Sequence, residues 1–354
     1  MKRIISFTLC IVIILSALGG CAARRDESGE TRKFVDSAGR EVEIPVEIDA
    51  VAPSGSLAQM ILYTLCPDKL IGLSDAFSQI QKEYIDEKYW DLPVLGKLYG
   101  SSGTLNLEEI VKESPDIIID IGERKSGIGA DMDTVQEQTG VPVVFIEATL
   151  GTMEQAYDTL GELLGVSEKA SEMSKYIGDV LKLAEDVKNK VPEADRPRVL
   201  YSQGEYGTEV NGKDSIHSEV LEFVGVTNAA DMDSVLSTGG DEVSMEQIIL
   251  WNPDVVVLAP GSNYGEIFDD PSWAQVDAVK NGLVYEVPMG PYNWFGRPPS
   301  VQRILGIMWL GNLVYPEYYD FDIIEKAREF YELFFHCGLT DAQARELLKN
   351  STLS

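Results

Sequence analysis

The strongest pattern of apolar and polar positions lies near the middle of the chain. Met173, Ile177, Val180, Ala184 and Val187 recur at spacings of four, three, four and three, which is one face of a helix over 167–191. Ser167 stands where it can cap the start, and Glu168 and Glu172 fall in the first turns. Lys182, Lys188 and Lys190 lie toward the end, where cations suit the helix dipole, and Pro192 stops it. At helical rise this segment predicts a rod roughly 37 Å long.

On either side the period changes. Short β-branched runs alternate with amphipathic segments. Before the rod, a hairpin over 34–45 turning at Ala38-Gly39 is followed by strands at 48–51, 70–73, 117–121 and 143–146. Helices at 57–65, 107–113 and 131–139 lie between them. After the rod, strands are expected at 199–201, 255–258 and 282–287, with helices at 216–224, 273–279, 301–313, 323–335 and 340–349. This alternation predicts parallel sheets covered by helices on both faces.

An internal repeat joins the two stretches. Residues 105–119 align without a gap on residues 243–257: Glu108 matches Glu246, Ile110 matches Ile248, and Pro115-Asp116 matches Pro253-Asp254. Each copy reads as a helix, a proline-set turn and a buried strand. The predicted architecture is two similar three-layer α/β lobes with mainly parallel sheets, 34–166 and 193–354, bridged by one long central helix, 167–192. Its apolar face is expected to lie against both lobes and not to touch a ligand.

Composition narrows the function. The 354 residues carry 29 basic and 58 acidic side chains, a formal charge of −29, which argues against nucleic acid or an anionic surface bound through net charge. Two histidines, His217 and His336, are too few for a histidine-rich metal site. Cys66 and Cys337 pair only if the fold brings them together. Residues 1–20 read as an export signal: Lys2 and Arg3 precede an apolar run from Ile4 to Leu18 that ends in small residues. Leu18-Gly19-Gly20-Cys21 resembles a bacterial lipobox, which makes Cys21 the lipidated residue and 21–33 a polar linker. The expected location is extracytoplasmic, tethered to the cell membrane as a lipoprotein.

The chain resembles the class III substrate-binding proteins of ABC importers, which serve ferric siderophores, haem and cobalamin. The resemblance rests on 36–45, on both copies of the repeat, on Gly225-Val226-Thr227-Asn228, and on Trp273 with 278–285. It implies two lobes joined by one helix that permits only small motions, a ligand held between the lobes, and no catalysis. It also implies that Glu108 and Glu246 dock against arginines of a permease dimer driven by its ATPase. A duplicated carboxylate on equivalent helix starts suits a two-fold partner, although charge compensation of the helix dipole explains it equally.

In open α/β sheets ligands sit beyond the carboxyl ends of the strands. The loop there with the most suitable chemistry holds Tyr292, Asn293, Trp294, Phe295 and Arg297, which offer aromatic faces and a bidentate cation. Cobalamin-binding relatives have a similar segment in the cleft, with an aspartate where Asn293 stands. Lys97, Tyr99, Arg124, Lys125, Tyr206 and Tyr264 are the further candidates. These cations and aromatics suggest an anionic, bulky metal chelate, a ferric siderophore first, with no cofactor of the protein's own. Corrinoid, haem and a molybdate-type oxyanion stay open, as do an extracytoplasmic sensor or an enzyme using the same cleft. No nucleophile elbow, phosphate loop or histidine-bearing metal motif is present in the sequence. The protein is expected to act as a monomer.

Overall fold

The computed structural model describes residues 29–99, 103–213, 215–233, 240–262, 264–296 and 298–352. It opens on an antiparallel hairpin of β1 (Thr31–Val35) and β2 (Glu41–Pro45). Asp36 closes the turn: Oδ1 accepts from the Ala38 and Arg40 amides at 2.9 Å, and Oδ2 accepts from Arg40 Nη1 at 2.8 Å. The same carboxylate accepts from the Phe145 amide at 3.2 Å, which pins the hairpin to the first lobe.

That lobe is built on β3 (Val51–Pro53), β4 (Ile117–Gly122) and β5 (Val143–Glu147), parallel and in that order. Parallel bridges from Val51 to Leu70 and from Leu73 to Val94 extend the sheet beyond β3. Its helices are α1 (Ser56–Leu65), α2 (Gln79–Lys82), α3 (Leu107–Glu113), α4 (Ile128–Thr139) and α5 (Met153–Leu164). The last is absent from the sequence expectation, although Met153, Ala156, Tyr157, Leu160 and Leu164 lie at helical spacing and are buried.

The bridging helix α6 runs Ser167–Lys190, and the five residues of its predicted apolar face are all buried. Its start differs from expectation. Val166 is the capping residue, no side chain caps the end, and Ser167 is already helical. The reason is the short connection to α5, in which Gly165 takes a left-handed conformation and the Val166 amide donates to the Gly161 carbonyl at 2.9 Å.

The second lobe contains β6 (Arg198–Gln203), β7 (Glu209–Val210), α7 (Glu219–Val224), β8 (Thr227–Asn228), β9 (Asp241–Glu242), α8 (Met245–Trp251), β10 (Val255–Leu258), α9 (Asp277–Lys280) and β11 (Val284–Glu286). The parallel strands lie in the order β8–β6–β10–β11, and the β7–β9 ribbon pairs antiparallel to the end of β6. The first lobe repeats this order, with the bridged segment at Leu70 beside β3, then β4 and β5. In both, the second strand lies outside the first, and the third and fourth lie on its other side.

The repeat has a local physical basis. Asn106 and Ser244 each cap their helix by accepting from the amide three residues on, at 3.1 and 3.2 Å. Ser114 and Asn252 end the helices in left-handed conformations, with amides donating to Ile110 and Ile248. Asp116 then accepts from the Asp49 and Ala50 amides at 2.8 Å, and Asp254 from the Arg198 amide at 2.8 Å. Each Pro-Asp turn thus ties the third strand of its lobe to the first.

Neither sheet contains a strand from the other side of α6, so one helix carries the chain between the lobes. Three C-terminal helices complete the molecule: α10 (Gln302–Val314), α11 (Ile323–Phe330) and α12 (Asp341–Leu347). α10 packs on α6 and α7, and a widened turn at Tyr331–Phe335 packs on α1, so the main apolar core continues through both lobes. Cys66 and Cys337 are free thiols, and burial pushes their pKa values up to about 12 and about 11. No described helix is long and apolar enough to cross a membrane.

Candidate ligand-binding cleft

A sheet whose second strand lies outside its first has a crevice where the chain turns in opposite directions, between the carboxyl ends of strands one and three. In the second lobe that point lies between β6 and β10. A recess of about 400 Å³ opens there, lined by Gln203, Gly204, Glu205, Glu209, the loop Ala259–Ser262, Met289 and Asn293. Gln203 ends β6 and pairs with Glu209 of β7. It is 3 % exposed, and its Nε2 has no hydrogen-bond partner among the described residues. Sequence reasoning missed Gln203, Glu205 and Glu209. The loop beyond β6 was legible, but the orphan donor was not.

The matching point in the first lobe lies between β3 and β4. There Ser54 donates to Asp120, whose pKa is raised by burial and lowered in part by that hydrogen bond. Ser56, at the start of α1, donates to Asp75 at 3.0 Å, and Lys97 pairs with the same carboxylate at 3.0 Å. Arg124 follows β4 and lies 4.0 Å from Glu147 at the end of β5. Two of the predicted cations therefore already face carboxylates. The sequence suggests a cationic cleft, but among the described residues the walls are mixed to acidic.

The other predicted residues divide by environment. Tyr206 sits exposed at the tip of the turn after β6, and its carbonyl accepts from Trp273 Nε1 at 3.2 Å. Tyr264 is half-buried, edge-on to Phe268 at 5.7 Å. Tyr99 points into its own lobe, donating to Asp131 at 2.8 Å, with Lys125 Nζ 4.0 Å from its ring centroid. Arg297 lies outside the described residues, as do Cys21 and the whole leader.

Tyr292, Trp294 and Phe295 are expected to present their faces to a ligand, and here the structure corrects the sequence. All three are buried, Trp294 completely. Phe295 packs edge-on between Tyr201 at 5.1 Å and Trp309 at 5.5 Å. The loop lies against α10 because Gly306 has no side chain: a Cβ there would sit 2.2 Å from the Trp294 carbonyl. Asn293 holds the turn, its Oδ1 accepting from the Phe295 amide at 2.6 Å and the Gly296 amide at 3.3 Å. Asn293 lines the recess, while Tyr292, Trp294 and Phe295 pack into the core.

The lobes also touch directly. Gly290 packs against the Tyr84 ring, and Tyr63 stacks near Phe335 at 6.4 Å. Gly151 faces Phe223 across the other flank. Arg303 is fully buried and paired with Glu219, and Glu123 of the first lobe acts electrostatically on both. Glu108 and Glu246 are exposed on the first turns of α3 and α8. Those helices run antiparallel to the strands that follow, so their starts lie at the cleft end of each lobe. A second cavity, about 750 Å³, lies beside α6 between α5 and α7 and is lined by ion-pairing side chains such as Lys175 and Asp179.

Two α/β lobes on a single helix, each with a switch point at the carboxyl ends of its strands, form the architecture of a bilobed solute-binding protein. The sequence profile described as periplasmic binding protein matches residues 62–289, and the chain belongs to that family. It is 24 % identical over 332 residues to the uncharacterized ABC transporter substrate-binding lipoprotein YvrC of Bacillus subtilis, covering 87 % of this chain and 95 % of the relative. Among solved structures, an ABC transporter solute-binding protein from Sulfurospirillum deleyianum shares 27 % identity at a TM-score of 0.82, covering 90 % of this chain and 99 % of that one. The molybdate-bound protein MolA of Haemophilus influenzae shares the fold at 21 % identity and a TM-score of 0.69, with 87 % and 99 % covered. The chain is a substrate-binding protein of an ABC transporter.

Proposed function

We propose that this protein is a lipid-anchored extracytoplasmic receptor that captures a metal chelate between its lobes, a ferric siderophore first among them, and delivers it to a permease dimer with its ATPase. The observation that carries the reading is the recess of about 400 Å³ on one wall alone. That volume is in the range of sites for drug-sized ligands. A bare oxyanion such as molybdate is far smaller and calls for converging N–H donors, whereas this wall carries Glu205 and Glu209. Haem calls for an axial ligand, and neither His217 nor His336 lines this recess.

Lipidation at Cys21 keeps the receptor near its permease, and the Bacillus subtilis relative is named a lipoprotein. Trp273, hydrogen-bonded to the Tyr206 loop, supplies an optical reporter. Tryptophan fluorescence is titrated with ferric siderophores, haem, corrinoids and molybdate. A ferric siderophore is expected to bind below about 10 μM, near −7 kcal/mol. Binding of molybdate or haem alone would overturn the chelate reading.

A further inference from the structure

The recess holds one group that its own fold leaves unused. Gln203 is buried at the switch point of the second sheet, and its carboxamide nitrogen donates to nothing among the described residues. Buried polar groups are paired almost without exception, and a departure at the wall of a recess has a bound ligand as one explanation. Next to it stand two carboxylates. Glu209 lies over Gly204, its carboxylate 2.8 Å from where a Cβ on that glycine would sit, and Glu205 lines the same wall. Among the described residues no lysine or arginine lines this recess, and in the opposite lobe Lys97 and Arg124 face Asp75 and Glu147.

Resting on the chelate reading above, we propose that Gln203, Glu205 and Glu209 form a subsite for the organic shell of a neutral or cationic chelate. Gln203 donates through Nε2 to a carbonyl or hydroxamate oxygen of the ligand. The two carboxylates accept from its N–H, hydroxyl or ammonium groups. A highly anionic complex, such as an iron triscatecholate, meets like charge on this wall, whereas a trihydroxamate with a free ammonium meets complementary charge.

The test titrates full-length protein with two probes: a ferric linear trihydroxamate bearing a terminal ammonium, and an iron triscatecholate trianion. Wild type is expected to bind the first at least about tenfold more tightly. Gln203→Leu is expected to weaken it about tenfold, the value of one neutral hydrogen bond. Gln203→Asn, which keeps the amide but shortens its reach, is expected to show a similar loss with an unchanged thermal midpoint. Glu205→Gln with Glu209→Gln is expected to narrow the preference between probes about tenfold. The subsite is overturned if folded Gln203→Leu binds within twofold of wild type, or if wild type prefers the trianion. Failure of wild type to bind either probe or any other chelate would instead remove the chelate reading itself.

Discussion

Single residues in this molecule are decided by burial and by what their neighbours already do. Arg303 and Glu219 show this most sharply. Burial raises the pKa of Glu219 and lowers that of Arg303, so for each partner desolvation outweighs the attraction between them. Arg303→Met strands a carboxylate and is expected to cost about 3 kcal/mol in urea unfolding, whereas adding Glu219→Leu is expected to recover most of that loss. His336 makes the complementary case for pH. The ring is partly exposed, yet its partial desolvation, then Lys169, lower its pKa below 6.5, while the backbone of Tyr63 and Thr64 and the charge of Asp68 oppose them. An unfolded chain then binds a proton that the folded one refuses. The resulting stability is fully present above pH 6.5 and is lost as pH falls toward the folded value. His336→Asn keeps the left-handed backbone, φ 57°, and removes the titration. The thermal midpoint of the variant is expected to fall less than that of wild type between pH 7.5 and pH 5.

Among the elements, close approach matters more than propensity. α5 and α6 are joined by two residues, and Gly161 lets them cross: a Cβ there would lie 2.3 Å from that of Ala170 and 3.2 Å from the Ser167 backbone. Helix propensity alone would make Gly161→Ala stabilising by about 1 kcal/mol. Overpacking against backbone wins, and the substitution is expected to destabilise by about 1–3 kcal/mol, read by denaturant unfolding at constant m-value. The repeated helix–Pro-Asp–strand unit was legible because its signals are local: a cap, a left-handed end and an aspartate that reaches its neighbour strand. The strand at 70–73 was legible only as a run of apolar residues, and it is held by isolated bridges. β7, β8 and β9, each two residues long, offered no periodicity to read.

At the scale of the whole molecule, a single helical crossing and an apolar core that runs through both lobes favour a preformed cleft with small adjustments over wide hinge closure. Glu108 and Glu246 then present a pseudo-symmetric pair at the cleft end, with the same exposure pattern around each. Glu246 is held below the usual carboxylate range by its own backbone amide and by Ser244. If these carboxylates dock on the permease, Glu108→Ala with Glu246→Ala is expected to reduce ligand uptake at least about tenfold in cells, since a hydrogen bond to a charged group contributes about 1.5–3 kcal/mol. Ligand affinity of the purified variant is expected to stay within twofold of wild type, and weaker binding would reject the docking role.

What the sequence determined alone was the architecture: two lobes of one kind, the rod between them, the crevice ends of the strands, and the paired glutamates. Each of these rests on period, capping or the recurrence of a short local pattern, which a chain carries without knowing its fold. Only the tertiary structure decided which loop side chains remain free to meet a ligand. Trp294 and Phe295 read as a binding face until α10 closed over them at Gly306. Lys97 and Arg124 read as free cations until Asp75 and Glu147 came beside them, and Gln203 read as one more loop residue until its described neighbours left its amide nitrogen unpaired. Those outcomes depend on residues distant in sequence meeting in space, where packing and desolvation are set by the whole fold.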